Sequence, residues 1–221
     1  MVAAIDGPAG VGKSSVARRS ADATGLLYVN SGSFYRAITL AVLESGERVE
    51  DPQKVLSVAR TCRLDMRGSA LTLNGRDVEA LIHTDAVDRL VAGHSSIPEV
   101  REIVNRRLRE IADGRDVLVE GRDIGTVVFP RAEVKIFLDA DVATRAARRH
   151  AQGVSSLALS DVESAIAARD DVDRNKPTGR LAAAPDAIRI DTSHLTMDEV
   201  CDRVKQAILV RKNKPGDMRR L

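Results

Sequence analysis

The chain has 221 residues, with 34 Lys and Arg set against 32 Asp and Glu, and a formal net charge of +2 with its 4 histidines neutral. That balance excludes attachment to nucleic acid through a general basic field, and no apolar run reaches the ~18 residues a membrane span requires. The opening MVAAIDGPAG has no basic, apolar leader, and Cys62 and Cys201 stand far apart without a CxxC spacing, so a reducing cytoplasmic setting is expected, with neither zinc nor disulfides.

Aromatic residues make up 2% of the chain and Trp is absent, so the core must be built from Val, Leu, Ile and Ala. Val2 to Ile5 reads as a short apolar strand, followed by a glycine-rich turn and a helical pattern through Ala21. Leu26 to Val29 is a second strand, again followed by a helix, over residues 33–43. This βαβα run predicts an α/β protein with a parallel sheet and helices on both faces. Asp51 and Pro52 open a further helix as N-cap and first helical residue. The segment LDMRGSALTLNGRDVEALI is different. Leu64, Met66, Leu71 and Leu73 alternate, and Gly68 and Asn74-Gly75 supply turns, so residues 60–95 read as antiparallel strands inserted beside the parallel core. Pro98 starts an amphipathic helix with Val100, Ile103, Val104, Leu108 and Ile111 on one face, closed by Gly114. Strands resume at Val117–Val119 and Val134–Leu138. Helices over Asp141–His150 and Ser160–Asp171 are separated by the loop QGVSS, and Ala187–Ile190 and Thr196–Val210 are the last strand and helix. The tail RKNKPGDMRRL lacks apolar periodicity and is expected to be a mobile, solvated end.

Between the first strand and its helix stands GPAGVGKS: Gly7, Pro8, Ala9, Gly10, Val11, Gly12, Lys13 and Ser14, with Ser15 behind it. The spacing is G-x-x-x-x-G-K-[ST], in the strand-to-helix setting that a P-loop requires. Glycines let main-chain N–H groups curl round a phosphate, and the helix start adds partial positive charge. Lys13 reaches the β and γ phosphates, and the Ser14 hydroxyl is a ligand for Mg²⁺. Asp6, Glu120 and Asp139 are the carboxylates available to assist the metal, and spacing does not choose among them. A bound nucleoside triphosphate follows, but not the destination of its γ-phosphoryl group. A guanine-reading switch needs N-K-x-D, and Asn175-Lys176-Pro177-Thr178 and Asn213-Lys214-Pro215-Gly216 both lack the aspartate. A motor or transport ATPase is usually a longer, multi-part chain. A small-molecule kinase needs a second anion pocket with arginines converging from several segments.

Such arginines are present. VNSGSFYR places Ser31 and the N–H groups of a helix start beside Arg36, and VLVEGRDIG puts Arg122 and Asp123 at the carboxyl end of a buried strand, the edge where open parallel sheets collect ligands. A further basic helix carries Arg145, Arg148 and Arg149.

AIDGPAGVGKS, NSGSFYRA, IPEVRE, VEGRDIGTVVFPRAEVKIFLDAD and RDDVDRN, in this order, resemble the bacterial cytidylate kinases of the nucleoside monophosphate kinase family, over residue 2 to about 191. The resemblance implies ATP and Mg²⁺, with CMP or dCMP as acceptor. It implies a P-loop core over 1–30 and 114–221 with a mobile helical lid at about 145–180, and a nucleotide-monophosphate-binding region over 31–113 that holds the 60–95 insertion. It assigns Ser31, Arg36 and Arg122 to the acceptor phosphate, Arg101 and Asp123 to the cytosine, and Arg169 and Asp173 to the ribose. Arg145, Arg148, Arg149 and Arg169 resemble lid arginines, and Lys13, Arg36, Arg122 and Arg149 are expected to act on the transferred group. Two positions depart from the family pattern: Ala92 stands in place of a serine that touches the base, and Lys176 in place of an arginine. A weaker preference for CMP over UMP is therefore expected. A monomer with no nucleic-acid or membrane partner is the expectation. The alternatives are a P-loop kinase of an alcohol, with Asp123 or Glu120 as base, or a nucleotide-dependent switch module.

Overall fold

Ala3 to Asp6 are all buried, as an unbroken apolar run requires of a strand covered on both faces. The computed structural model describes residues 1–151, 158–176 and 178–213. Its elements in chain order are β1 (Val2–Asp6), α1 (Lys13–Thr24), β2 (Leu27–Asn30), α2 (Ser31–Ser45), α3 (Pro52–Thr61), β3 (Leu64–Arg67), β4 (Ala70–Leu73), β5 (Arg76–Asp77), α4 (Asp85–His94) and α5 (Pro98–Ala112). There follow β6 (Val117–Gly121), a π-helical turn (Ile124–Val128), β7 (Val134–Asp139), α6 (Val142–Ala151), α7 (Leu159–Asn175), β8 (Ile188–Asp191) and α8 (Met197–Lys212). The α/β class and the parallel core sheet read from the sequence are found. The loop QGVSS and the tail beyond residue 213 lie outside the described residues. Among the described residues no helix is long and apolar enough to cross a membrane.

The chain divides into two compact units, Met1–Tyr28 with Asp116–Asn175 and Arg180–Leu221, and Val29–Arg115 with Lys176–Gly179. The first carries the central sheet, in the order β2-β6-β1-β7-β8. β1 runs parallel to β6 and β7, and β8 parallel to β7, with Asp6 opposite Gly121 and Asp139 opposite Asp191. The carboxyl ends of these strands thus form one edge. Alternate residues Ala3 and Ile5, Ile136 and Leu138 turn to the same side as Leu118 and Ile190, against Val16, Ala17 and Ala21 of α1 and Val200, Val204 and Ile208 of α8. α8 starts cleanly because Thr196 and Glu199 form a reciprocal capping box.

The second unit carries the antiparallel sheet β3-β4-β5, with Leu64 opposite Leu73 and Arg67 opposite Ala70. Asn74 and Gly75 join β4 to β5 with φ of 53° and 82°, the left-handed pair a two-residue hairpin turn demands. The expected strands stop at Asp77. The rest of the 60–95 stretch holds α4, which alternation alone did not reveal: Thr84 caps it by accepting from Val87 N–H, and Val87 is fully buried. His94, at the end of α4, is buried between the Thr39 hydroxyl at 3.0 Å and the Val49 carbonyl at 2.8 Å, a packing role. α2 begins at Ser31 rather than near 33, because Asn30 caps it.

Candidate active site

The P-loop is held close to the sheet. A Cβ on Gly7, whose φ is +155°, would lie 2.2 Å from the Leu138 carbonyl oxygen, so only glycine lets the main chain leave β1 this tightly against β7. α1 has no side-chain cap, so its first N–H groups remain available to an anion. Lys13 is buried, and its ammonium donates to the Pro8 carbonyl at 2.6 Å across the loop. Burial and the Arg122 guanidinium hold the Lys13 amine well below its usual range, with Arg169 adding to the effect and Glu120 and Asp6 opposing it. A buried amine held against its charge in this way is a fitting partner for an anionic ligand.

Glu120, at the end of β6, is 3% exposed and accepts from the Ser14 hydroxyl at 2.8 Å and the Tyr28 hydroxyl at 2.9 Å, both on Oε1. Its Oε2 is buried without a hydrogen-bond partner among the described residues. Tyr28 in turn lies under Arg18, 4.8 Å from the ring centre. Asp6 has a different task. Its two oxygens accept from the main-chain N–H groups of Ile124 and Gly125, each at 2.8 Å, and burial pushes its pKa up to about 6. It thereby fixes the turn after β6, where Asp123 is buried and its carbonyl receives Val127 and Val128 N–H in a π-type turn. A Ser14–Glu120 oxygen pair with a free buried carboxylate oxygen fits a small hard cation such as Mg²⁺.

Arg122 pairs with Asp173 of α7, Nε to Oδ2 at 3.1 Å, and Asp173 is buried while Arg169, one turn earlier, is exposed. The basic helix α6 splits in its roles. Arg145 is 1% exposed, donates to the carbonyls of Ala140 at 2.9 Å and of P-loop Ala9 at 3.1 Å, and lies 2.6 Å from Asp170 of α7. Arg148 donates to the hydroxyl and carbonyl of Thr192 at 3.0 and 2.6 Å. Both are therefore tied into the scaffold, contrary to the expectation that they cover phosphates; Arg149 is half-buried on the same helix.

In the other unit, Ser31 is the buried first residue of α2. The N–H groups of Gly32 and Ser33, expected to serve a phosphate, are taken by the Asn30 side chain at 2.9 and 3.3 Å. Arg36 donates to the Ile82 carbonyl at 2.9 Å and pairs with Asp88 of α4. Arg101, buried on α5, lies 5.5 Å from the Tyr35 ring centre and donates to the Ser95 carbonyl at 3.2 Å. Ala92 is exposed on α4, its carbonyl receiving the Ser95 and Ser96 hydroxyls. Lys176 is partly buried and clusters with this unit.

The family model for cytidylate kinase matches residues 3–209. The chain belongs to the cytidylate kinase family. A cytidylate kinase of Caldanaerobacter subterraneus subsp. tengcongensis is 42% identical over 218 residues, covering 97% of this chain and 96% of the relative, and one of Nocardia farcinica is 41% identical over 216 residues, with 94% and 93% covered. Among solved structures, protein TT1252 of Thermus thermophilus shares the fold, with a TM-score of 0.50 at 18% identity over 97% of this chain and 98% of that one.

For a cytidylate kinase, the residues that sequence reasoning left without a role are Tyr28, Asp88 and Asp170, and Asp6 and Glu120 were left undivided. Asp6 and Glu120 did carry a signal: each is a carboxylate at the carboxyl end of a buried apolar strand, where an unpaired charge is costly. Tyr28→Phe keeps the ring and removes only the hydroxyl that holds Glu120. We expect a loss of about 1.5–3 kcal/mol, the range for a hydrogen bond to a charged group, read from the urea unfolding midpoint. An unchanged midpoint would mean the bond to Glu120 is not made.

Proposed function

We propose that the chain transfers the γ-phosphoryl group of ATP to CMP or dCMP, giving ADP and CDP or dCDP. The observation that carries this reading is a buried P-loop lysine, Lys13, held against its charge by burial and by Arg122 and Arg169, in a chain of the cytidylate kinase family. An acceptor phosphate is already ionised at neutral pH, so one of its oxygens forms the new P–O bond without a side-chain base. The bond from the γ-phosphorus to its bridging oxygen breaks, and ADP leaves with that electron pair. What remains for the protein is positioning and charge stabilisation.

Lys13 and the main-chain N–H groups of the loop over residues 7–15, Pro8 excepted, hold the donor phosphates. Arg36, Arg122 and Ser31 take the acceptor phosphate, Arg101 and Asp123 the cytosine, and Arg169 and Asp173 the ribose, with Lys176 on the base-recognition side. Arg149 closes on the transferred group from α6, which with α7 forms the lid. Ser14 and Glu120 would hold Mg²⁺, which when bound neutralises charge on the phosphate oxygens. Both cysteines are free thiols, which accords with a reducing cytoplasmic setting.

The test is ADP production from ATP with CMP, dCMP, UMP and AMP in parallel. CMP and dCMP are expected to support turnover and AMP not to; failure of all four would end the assignment. The CMP-to-UMP ratio of kcat/KM is expected to fall short of the ~10⁴-fold that fully paired buried polar groups achieve. Ala92 offers no hydroxyl, and Lys176 lacks the planar fork of an arginine. A ratio at or above that level would show that other groups read the base.

A further inference from the structure

Two of the glycines in the described residues could not accept a Cβ without a contact under 3 Å. At Gly7 the obstacle is main chain. At Gly179 it is the end of one side chain: a Cβ there would lie 2.1 Å from Cζ, 2.2 Å from Nη2 and 2.6 Å from Nε of Arg101. Gly25, Gly46, Gly68, Gly75 and Gly114 also have positive φ, yet a Cβ on any of them meets nothing within 4 Å, so backbone conformation alone accounts for those. Gly179, with φ of +68°, is where a left-handed turn and a guanidinium meet.

We propose that Gly179 is a positioning residue for acceptor recognition: by carrying no side chain, it lets the Arg101 guanidinium rest against the main chain and so fixes the fork that meets the acceptor base. This rests on the reading of Arg101 as a cytosine contact. The guanidinium has the Tyr35 ring on one flank at 5.5 Å, the Ser95 carbonyl at 3.2 Å, and Gly179 as a further wall. Arg101 is 7% exposed, so it has little room to swing elsewhere. An arginine fork discriminates by its plane and by the direction of its N–H groups. A methyl group at 179 must push that fork aside, and because the obstacle is the far end of a flexible side chain, the fold survives the change. Displacements of about 1 Å at a positioned group can cost up to 10²-fold in rate.

Steady-state kinetics decide it, using the full chain and four variants: Gly179→Ala, Arg101→Ala, the double variant, and Gly46→Ala. Gly46 has φ of +72° with open space around it, so Gly46→Ala carries the left-handed strain without the displaced arginine. Gly179→Ala is expected to lower kcat/KM for CMP by about 10- to 100-fold, with the KM for ATP unchanged and the CMP-to-UMP ratio reduced. The double variant is expected to be no worse than Arg101→Ala, since the methyl group acts only through the arginine. If the two losses multiply in the double variant, Gly179 works by another route and the inference falls. If Arg101→Ala is impaired while Gly179→Ala behaves as Gly46→Ala does, the inference falls and the reading of Arg101 stands. If Arg101→Ala leaves CMP kinetics intact, both fall.

Discussion

Lys13→Met is expected to lower kcat by at least about 10²–10³-fold, the cost of removing one preorganised donor to the transition-state charge, and to raise the melting temperature of the nucleotide-free protein. The two effects have one cause. The ammonium is buried beside Arg122, and desolvation and like charge both act against it, so its pKa in the folded chain lies well below the ordinary 10.5. The unfolded chain therefore binds the proton more tightly than the native one. Below the folded pKa the charged amine opposes folding to its full extent, and the opposition fades as pH rises toward 10.5. Methionine fills the stem's space and has no charge. It leaves the Pro8 carbonyl without its donor, a loss of about 1 kcal/mol that offsets only part of the gain. The advantage of the variant in thermal unfolding should be largest below the folded pKa and should shrink as pH rises from there toward 10.5. Adding ATP should reverse the order, because the wild-type cluster gains a polyanion that the variant holds poorly. A variant less stable than wild type at every pH would show that Lys13 is not held against its charge.

The P-loop was legible because everything it needs is local: Gly7 to Ser14 follow β1 directly, and their spacing encodes both the tight turn and the lysine. The sheet was legible for a similar reason, since β1 and β6 open with unbroken runs of Val, Leu, Ile and Ala and β7 is apolar apart from Lys135 until Asp139 ends it, as a doubly covered sheet requires. What stayed hidden depends on partners far apart in the chain. Tyr28 and Glu120 are 92 residues apart, and nothing in either neighbourhood announces that a hydroxyl and a carboxylate meet. Arg145 looked like a lid arginine because a basic helix face suggests solvent or phosphate. Its interior position follows from Ala9, 136 residues earlier, and from Asp170 on the next helix. Asn30 was overlooked because the motif drew attention to Ser31, yet a side-chain amide just before a helix is a strong cap and competes with any anion for the same N–H groups. α4 was missed because the alternation of β3 and β4 was carried past its end at Asp77, although Thr84 with Asp85 and Val87 is a helix start.

Arg145→Met should destabilise the protein by about 3–5 kcal/mol, the usual consequence of removing one partner from a buried ion pair. Arg145 and Asp170 are each 1% exposed, and the Asp170 oxygens take no conventional hydrogen bond among the described residues, so its charge is balanced by the guanidinium 2.6 Å away. Without the arginine that carboxylate is left buried and uncompensated on α7. Replacing both, as Arg145→Met with Asp170→Leu, removes the stranded charge and should recover most of the loss, since apolar pairs of similar volume often equal a buried salt bridge. Recovery should remain short by about 1–2 kcal/mol, because the carbonyls of Ala9 and Ala140 lose their donor. That residue of the effect has a functional reading. Ala9 belongs to the P-loop, so the double variant should fold well and still bind ATP more weakly, with its KM for ATP raised and its acceptor KM little changed. Urea unfolding of the single and double variants separates the cases: if they are equally destabilised, the carboxylate is not stranded by loss of the arginine. If the double variant regains both stability and ATP affinity, the tether from α6 to the loop carries no weight in holding the phosphates.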